Sequence, residues 1–124
     1  MSVQREVFEQ QSWANGATGA ALTKTLTRRL HGRCEQIEVK INDNTGNRTL
    51  TLTVLSEIGG IFYTKAAIPE NADTIYRANS QKAVQDADFN AFLADEKCTI
   101  TAVLSSDPGT GGATADIAFW MADR

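Results

Sequence analysis

The sequence predicts a mainly β protein, an antiparallel β-sandwich of jelly-roll or Greek-key type with one short inserted helix. Apolar and polar residues alternate along roughly seven or eight short segments, as they do in strands that bury one face. Glycine, asparagine, aspartate and proline residues that favour turns separate these segments. A single segment, Gln81 to Ala94, has the apolar spacing of an amphipathic helix, and Ser80 is its expected N-cap.

The bulk composition bounds the class of protein. A chain of 124 residues, 42% hydrophobic and 22% charged, fits one ordinary globular domain. Its net charge of −3 argues against a nucleic-acid partner, because such proteins carry a basic surface for phosphate. No apolar run approaches the roughly 20 residues of a membrane-spanning helix, and the first residues lack a signal-peptide core. We expect no membrane partner and a protein that stays where it is made.

Residues 1–21 are predicted to form an N-terminal arm or linker, and residues 22–124 the sandwich domain. Small residues and glycines fill the end of the arm, and ordering them is entropically costly. The arm also carries two large aromatic residues, Phe8 and Trp13. These rings either pack on the chain's own sandwich or reach a neighbouring subunit, where aromatic anchors are favoured.

The segment 22–30 fits either a strand or a helix. Its leucines recur every fourth residue, as on a helix face, but they also share one face of a strand whose other face is threonine. We prefer a strand because threonine is a poor helix former and a good strand residue; the helix stays an alternative. A strand places Lys24 and Arg28 on the leucine face, which requires a sheet edge or a contact with another chain.

A small basic cluster follows, formed by Arg28, Arg29, His31 and Arg33. It is either a solvated turn or a docking patch for an acidic partner surface. His31 is the only histidine, and no thiolate pair lies near it in the sequence, so we expect no zinc site.

The clearest strand pattern lies between Cys34 and Ala67. We predict three consecutive antiparallel strands here, joined by turns at 42–47 and at Gly59-Gly60. Beyond Pro69 the pattern predicts a short strand at 74–77, a strand from Cys98 to Leu104, and a last strand at 115–121. The last strand is apolar on both faces, so Trp120 should be covered by the arm or by a partner.

Nothing in the spacing of nucleophiles predicts catalysis. Ser56, Ser105 and Cys98 have no positional relation to His31, so an enzyme is the least supported class. Cys34 and Cys98 each stand at the start of a predicted strand, and the sequence leaves their adjacency open. We expect free, reduced thiols in a protein made in the cytosol.

Three segments and the threonine-alternating strands together resemble small virion proteins of tailed bacteriophages, in particular capsid decoration or cement proteins. The segments are Asn42-Asp43-Asn44-Thr45-Gly46, Lys65-Ala66-Ala67-Ile68-Pro69-Glu70-Asn71 and Ser106-Asp107-Pro108-Gly109. The resemblance implies a binder without catalysis or cofactor that is made in the host cytoplasm and staples major capsid subunits on the virion surface, as a dimer or trimer. It assigns no role to individual residues.

The residues that suit such an interface are two aromatic residues of the arm, the basic cluster and the aromatic residue of the last strand: Phe8, Trp13, Arg28, Arg29, His31, Arg33 and Trp120. The alternative is a carbohydrate-binding or adhesin-like module. In that case Trp13, Tyr63, Tyr76 or Trp120 would present flat rings to a sugar and would lie exposed on one surface.

Overall fold

The computed structural model describes residues 3–78 and 88–123, which form one eight-stranded antiparallel sheet. The mainly β class is therefore confirmed, while the sandwich of jelly-roll or Greek-key type stays a prediction. A single 3-10 turn, Gly19–Leu22, precedes the longest strand. The strands are β1 Val3–Val7, β2 Gln11–Trp13, β3 Thr23–Ile41, β4 Leu50–Leu55, β5 Ile61–Ile68, β6 Ala72–Arg77, β7 Leu93–Leu104 and β8 Ala113–Ala122.

The strand β3, 19 residues long, joins two halves of the sheet. Its first part, 23–33, pairs with β7, and β4 and β5 follow β7 in order. Its last part, 36–41, lies between β6 on one edge and β8 on the other. The strands β1 and β2 then pair with successive parts of β8. We call β3–β7–β4–β5 the first half of the sheet and β6–β3–β8 with β1 and β2 the second half.

A bulge in β3 keeps the core on the same side of both halves. Before the bulge the buried positions are even-numbered, such as Leu30, and after it they are odd-numbered, such as Ile37. The register shifts between Cys34 and Gln36, and both Cys34 and Glu35 are buried. Because side chains alternate with a period of two, the extra residue moves the apolar set from one parity to the other.

Gly32, directly before the bulge, lies against the backbone of β8. Its φ of +108° is in the region that favours glycine, and a Cβ built there would be 2.2 Å from the carbonyl oxygen of Ala122. No flexible side chain separates the two backbones at this point, so any other residue forces them apart.

The core draws on both halves of the sheet. Phe8 meets Phe119 edge to face at 5.0 Å between ring centres, and Phe62 stacks on Phe92 at 5.2 Å. The largest fully buried side chains are Trp13, Phe119, Leu30, Ile37, Ile41, Leu50, Leu52, Ile68, Ile100, Leu104, Ile117 and Val39.

The loops at one end of the sheet are held by polar side chains. The buried Asn44 accepts from the Arg48 N–H at 2.7 Å and donates to the Arg48 carbonyl at 3.2 Å. The Asp107 carboxylate accepts from the backbone N–H groups of Gly109 and Gly16 at 2.9 Å and 2.8 Å. These two hydrogen bonds hold the pKa of Asp107 below its usual range.

The predicted run of three paired strands is only partly right. Within this run, β4 and β5 form a hairpin as predicted. The separate segment 22–30 is strand rather than helix from Thr23 onwards. However, β3 and β4 are not neighbours, because β7 lies between them. Alternation reveals which face of a strand is buried but not which strand lies beside it. Here residues 36–41 of β3 lie between β6 and β8, and the earlier part of β3, 23–33, pairs with β7.

The predicted helix Gln81 to Ala94 is corrected where the structure describes it. Residues 81–87 lie outside the described part of the chain, as does the predicted cap Ser80. From Asp88 onwards the chain is not helical, and Leu93 and Ala94 already belong to β7. The aromatic spacing there has another cause, since Phe89 meets Tyr63 at 5.1 Å and Phe92 stacks on Phe62.

The predicted N-terminal arm is part of the sheet. Residues 3–7 and 11–13 pair with β8, and the Phe8 N–H donates to the Ile117 carbonyl at 3.0 Å. Phe8 and Trp13 are 3% and 2% exposed, and the Trp13 indole N–H donates to the Leu22 carbonyl at 2.8 Å. Burying these two rings favours docking of the segment on the rest of the sheet.

We expect Gly32→Ala to lower the free energy of unfolding by at least about 2 kcal/mol, because it combines an unfavourable φ with a backbone clash. Gly59→Ala is the matched control, since Gly59 also has a positive φ, +94°, but nothing within 4 Å of a built Cβ. Urea unfolding of both variants measures the difference. Equal losses in the two variants would show that the contact with Ala122 is unimportant.

We expect Trp13→Ala to lower the free energy of unfolding by about 3–5 kcal/mol, the usual range for removing a buried large aromatic side chain. Deletion of residues 1–13 should be more severe, because it also exposes the edge of β8 and Phe119. Thermal unfolding followed by circular dichroism measures both. A truncated protein with unchanged thermal stability would mean that β1 and β2 are dispensable for the fold.

Candidate interaction surface

The four basic residues of the cluster do not form one patch. Arg28 lies on the core side of β3, with its guanidinium 4.8 Å from the ring centre of Phe8, whereas Arg29 and His31 lie on the opposite side. Each of the four has an acidic partner within the chain. The ion pairs are Arg28–Glu6 at 3.5 Å, Arg29–Asp95 at 3.1 Å, His31–Asp95 at 3.1 Å and Arg33–Glu35 at 2.7 Å.

These internal partners change what the cluster can do. His31 and Arg29 together hold the pKa of Asp95 below its usual range, the hydrogen bond from His31 being the largest cause. Much of the local positive charge is thereby balanced within the chain, which weakens attraction to an acidic partner. The placement of Arg28 beside Phe8 also fits the expectation that a cation on the leucine face needs a sheet edge, since β3 pairs on only one side over 23–32 within the described residues.

The three aromatic residues of the predicted interface also do not share one surface. Phe8 and Trp13 are buried in the chain's own core and are not available to a partner. Trp120 lies on the outer face of the second half, half-buried, and the Arg5 guanidinium covers its ring at 5.0 Å. Arg5 also pairs with Glu38 at 3.3 Å. Of the two covers expected for Trp120, the arm or a partner, the structure shows one side chain of β1 over the ring.

Around Trp120 the outer face of the second half mixes apolar and charged side chains. Cross-strand register places Val7, Ala118, Glu38 and Ile75 in one row, and Arg5 and Trp120 in the next. Val3, Val7 and Ile75 are 53%, 54% and 38% exposed, high values for large apolar residues on a sheet face. We call this surface the Trp120 face, and its side chains are Val3, Arg5, Val7, Glu38, Lys40, Asp73, Ile75, Asp116, Ala118 and Trp120.

A shallow depression of about 260 Å³ lies in the Trp120 face. Two cations, Arg5 and Lys40, and three carboxylates, Glu38, Asp73 and Asp116, line it together with apolar atoms of β1 and β8. The nearby Asp73 carboxyl raises the pKa of Glu38 above its usual range, and partial burial adds to the effect. The depression therefore offers donors, acceptors and apolar contact within one small area.

The sequence did not single out most of this surface. Val3, Val7 and Ile75 are ordinary apolar residues among polar neighbours, and only the pairing of β1 and β6 with β8 and β3 brings them to one face. Alternation within β1 and β6 was the available signal. It could not be used without knowing which strand each one joins.

The carbohydrate-binding alternative loses its structural basis. Trp13, Tyr63 and Tyr76 are 2%, 6% and 8% exposed, and Trp120 lies beneath Arg5. The four rings therefore do not present a common exposed surface, which stacking on a sugar requires.

Neither the cysteines nor the acidic residues form a chemical centre in the described residues. Within 3–78 and 88–123, no three histidine, cysteine, aspartate or glutamate residues converge as metal ligands. Cys34 and Cys98 are free and buried, and burial raises the pKa of Cys34 to about 12. Cys98 is opposite Arg28, six residues along β3 from Cys34, or roughly 20 Å, beyond the reach of a disulfide.

No helix in the described part of the chain is long and apolar enough to cross a membrane.

No protein-family model matches the chain, and no curated protein matches it. Among solved structures, the chain is similar to part of a chain in the structure of the infectious bursal disease virus Gx strain, at a TM-score of 0.42 and 12% identity over 97% of this chain. It spans 32% of that chain. It is also similar to the Macrobrachium rosenbergii nodavirus P-domain, at a TM-score of 0.30 and 9% identity over 96% of this chain and 91% of that one. Similarity at this level establishes neither a shared fold nor a shared function.

We expect Asp73→Asn to lower the pKa of Glu38 toward its ordinary value, because the neighbouring carboxyl is the main cause of the upward shift. A raised pKa means that the folded protein holds this proton more tightly than the unfolded chain. The pair therefore favours folding at low pH, and this contribution is lost as the pH rises through the folded pKa of Glu38. Carbon-detected NMR titration of the Glu38 carboxyl tests the shift. If the pKa of Glu38 were the same in the variant and in the wild type, the expected coupling to Asp73 would be contradicted.

Proposed function

We propose that the protein is a non-enzymatic structural protein of a virion, a decoration or cement protein that binds the major capsid protein on the outside of the capsid. It would be made in the host cytoplasm and would act as a dimer or trimer without a cofactor. The observation that carries this proposal is the Trp120 face, where large apolar side chains stay exposed on a regular sheet. The sequence resemblance to decoration proteins supplies the virion assignment.

The composition of the Trp120 face suits protein recognition. Val3, Val7 and Ile75 supply apolar area, which gains about 25 cal/mol for each Å² removed from water. Trp120 and Arg5 are residue types that dominate binding energy at interfaces, and here they already stack on each other. The charged groups of the depression surround this centre and supply the polar contacts typical of an interface rim.

The sheet also holds this face in a fixed arrangement. β1 is anchored along β8 by five residue pairs, and the buried Phe8 follows directly after it. Side chains on a paired strand lose little further freedom on binding, so less of the interaction energy is consumed by ordering. On a capsid, many copies would bind a repeating lattice, and linked contacts through a dimer or trimer would strengthen a weak single contact.

The proposal extends to the fold type. The two halves of the sheet share β3 and contribute to one core, an arrangement compatible with a sandwich of jelly-roll or Greek-key type. In such a fold the outer faces of both halves are available for contacts between subunits.

We expect Val7→Asp to reduce binding to capsids at least tenfold, because it replaces exposed apolar area with a fourth carboxylate beside a depression that already holds three. Co-sedimentation with capsids of the encoding virus, purified without this protein, measures binding. Val7 is 54% exposed, so the fold should tolerate the change. Thr18→Asp is the control, since Thr18 is exposed and makes no side-chain capping bond. Absence of wild-type binding, or full binding by Val7→Asp, would contradict the proposal.

A further inference from the structure

The outer face of the first half of the sheet carries an ordered array of threonines. Register places Thr25, Thr101, Thr53 and Thr64 directly opposite one another across the four strands β3, β7, β4 and β5. The hydroxyl groups of Thr53 and Thr64 are 3.1 Å apart. Directly opposed residues point to the same face, so the four side chains form one row.

The rows on either side continue the pattern. One row contains Thr27, Thr99, Leu55 and Ile61, and the other contains Thr23, Val103 and Thr51. Together with the first row, the three rows contain eleven described positions, and none of them carries a charge. We call this surface the threonine face. The row beyond Thr27 and Thr99 is charged, with Arg29 opposite Lys97.

An uncharged sheet face of this extent is unusual for a protein surface, because solvated faces normally carry lysine, glutamate, arginine or aspartate. We propose that the threonine face is a self-association surface, on which a second copy of this chain stacks face to face about a two-fold axis. This inference names a surface for the self-association included in the proposed function. It is separable from capsid binding, since a protein that does not bind capsids can still dimerise.

Charge selects a second copy as the occupant. The chain has a net charge of −3, so two copies repel wherever their charged surfaces meet. The threonine face brings together no like charges, and an antiparallel two-fold arrangement keeps the two Arg29 and Lys97 ends apart. A strongly acidic or basic partner gains nothing from a surface without charge.

Threonine chemistry also fits a pairing of identical surfaces. Each hydroxyl is both a donor and an acceptor, so identical rows satisfy each other in an isologous contact. The side chain has one stiff torsion, so its ordering costs little, and its methyl group adds apolar contact. Ile61, 66% exposed in the neighbouring row, and Ile58, 96% exposed at the tip of the β4–β5 turn, add apolar area at one corner.

The size of the face sets the strength of association. From the usual spacing of strands and residues, three rows on four strands cover roughly 400 Å² of sheet. This is about half of the area that each partner contributes to an interface of standard size. Association should therefore be weak and concentration-dependent in solution.

The first test uses the unmodified protein. Sedimentation equilibrium from about 10 µM to about 1 mM should show a shift from the 13.4 kDa monomer toward twice that mass. NMR spectra of threonine methyl groups over the same range should show shifts for Thr25, Thr53 and Thr101 but not for Thr18. A protein that stays monomeric throughout, or shifts confined to other threonines, would overturn the inference.

The second test introduces charge of either sign at the centre of the face. Thr101→Glu and Thr101→Arg should each weaken dimerisation at least tenfold, because a two-fold axis brings the new charge near its own copy. Thr18→Glu and Thr18→Arg are the matched controls, and Thr101→Val, which adds no charge, should still dimerise. An unaffected dimer, or one weakened by only one sign of charge, would overturn face-to-face stacking. Val7→Asp should leave the dimer intact, which separates this inference from the capsid proposal.

Discussion

The structure depends on the change of side-chain alternation in the middle of β3. A strand of 19 residues that kept one alternation would turn its apolar residues away from the core in one of the two halves. The bulge at Cys34 and Glu35 corrects this, and the contact of Gly32 with Ala122 allows β8 to lie close at the same place. Both halves can then bury apolar side chains on the same side, and both can present an outer face.

The outer faces of the two halves carry different kinds of side chain. On the second half, β1 and β6 bring isolated apolar residues next to ions, which produces the Trp120 face with its stacked Arg5. On the first half, threonines occupy most positions of the three rows that form the threonine face, and these rows carry no charge. The former suits a partner of different sequence, with apolar and charged groups to match, and the latter suits an identical surface.

The strands themselves could largely be predicted from the sequence, because alternation is a local property. The threonines at 23, 25 and 27 correctly indicated strand over helix. The neighbours of each strand could not be predicted, since β7 enters between β3 and β4 from residues about 70 positions away in the chain. The ion pairs of Arg29 and His31 could not be predicted for the same reason, because their partner Asp95 lies 64 residues beyond His31. Phe8 and Trp13 correctly indicated a need for burial, but the site of burial is set by β8.

The pairing of β1 with β8 brings the two ends of the described chain together, since Val3 is opposite Ala122. During synthesis, β1 therefore stays unpaired until β8 has left the ribosome. The sheet cannot be completed before that point, and until then the edge of β3 that pairs with β8 is open to other strands. The same proximity means that a short peptide could connect the ends and the chain could be opened elsewhere. Peptides fused to either end would emerge from one edge of the sheet, beside the Trp120 face.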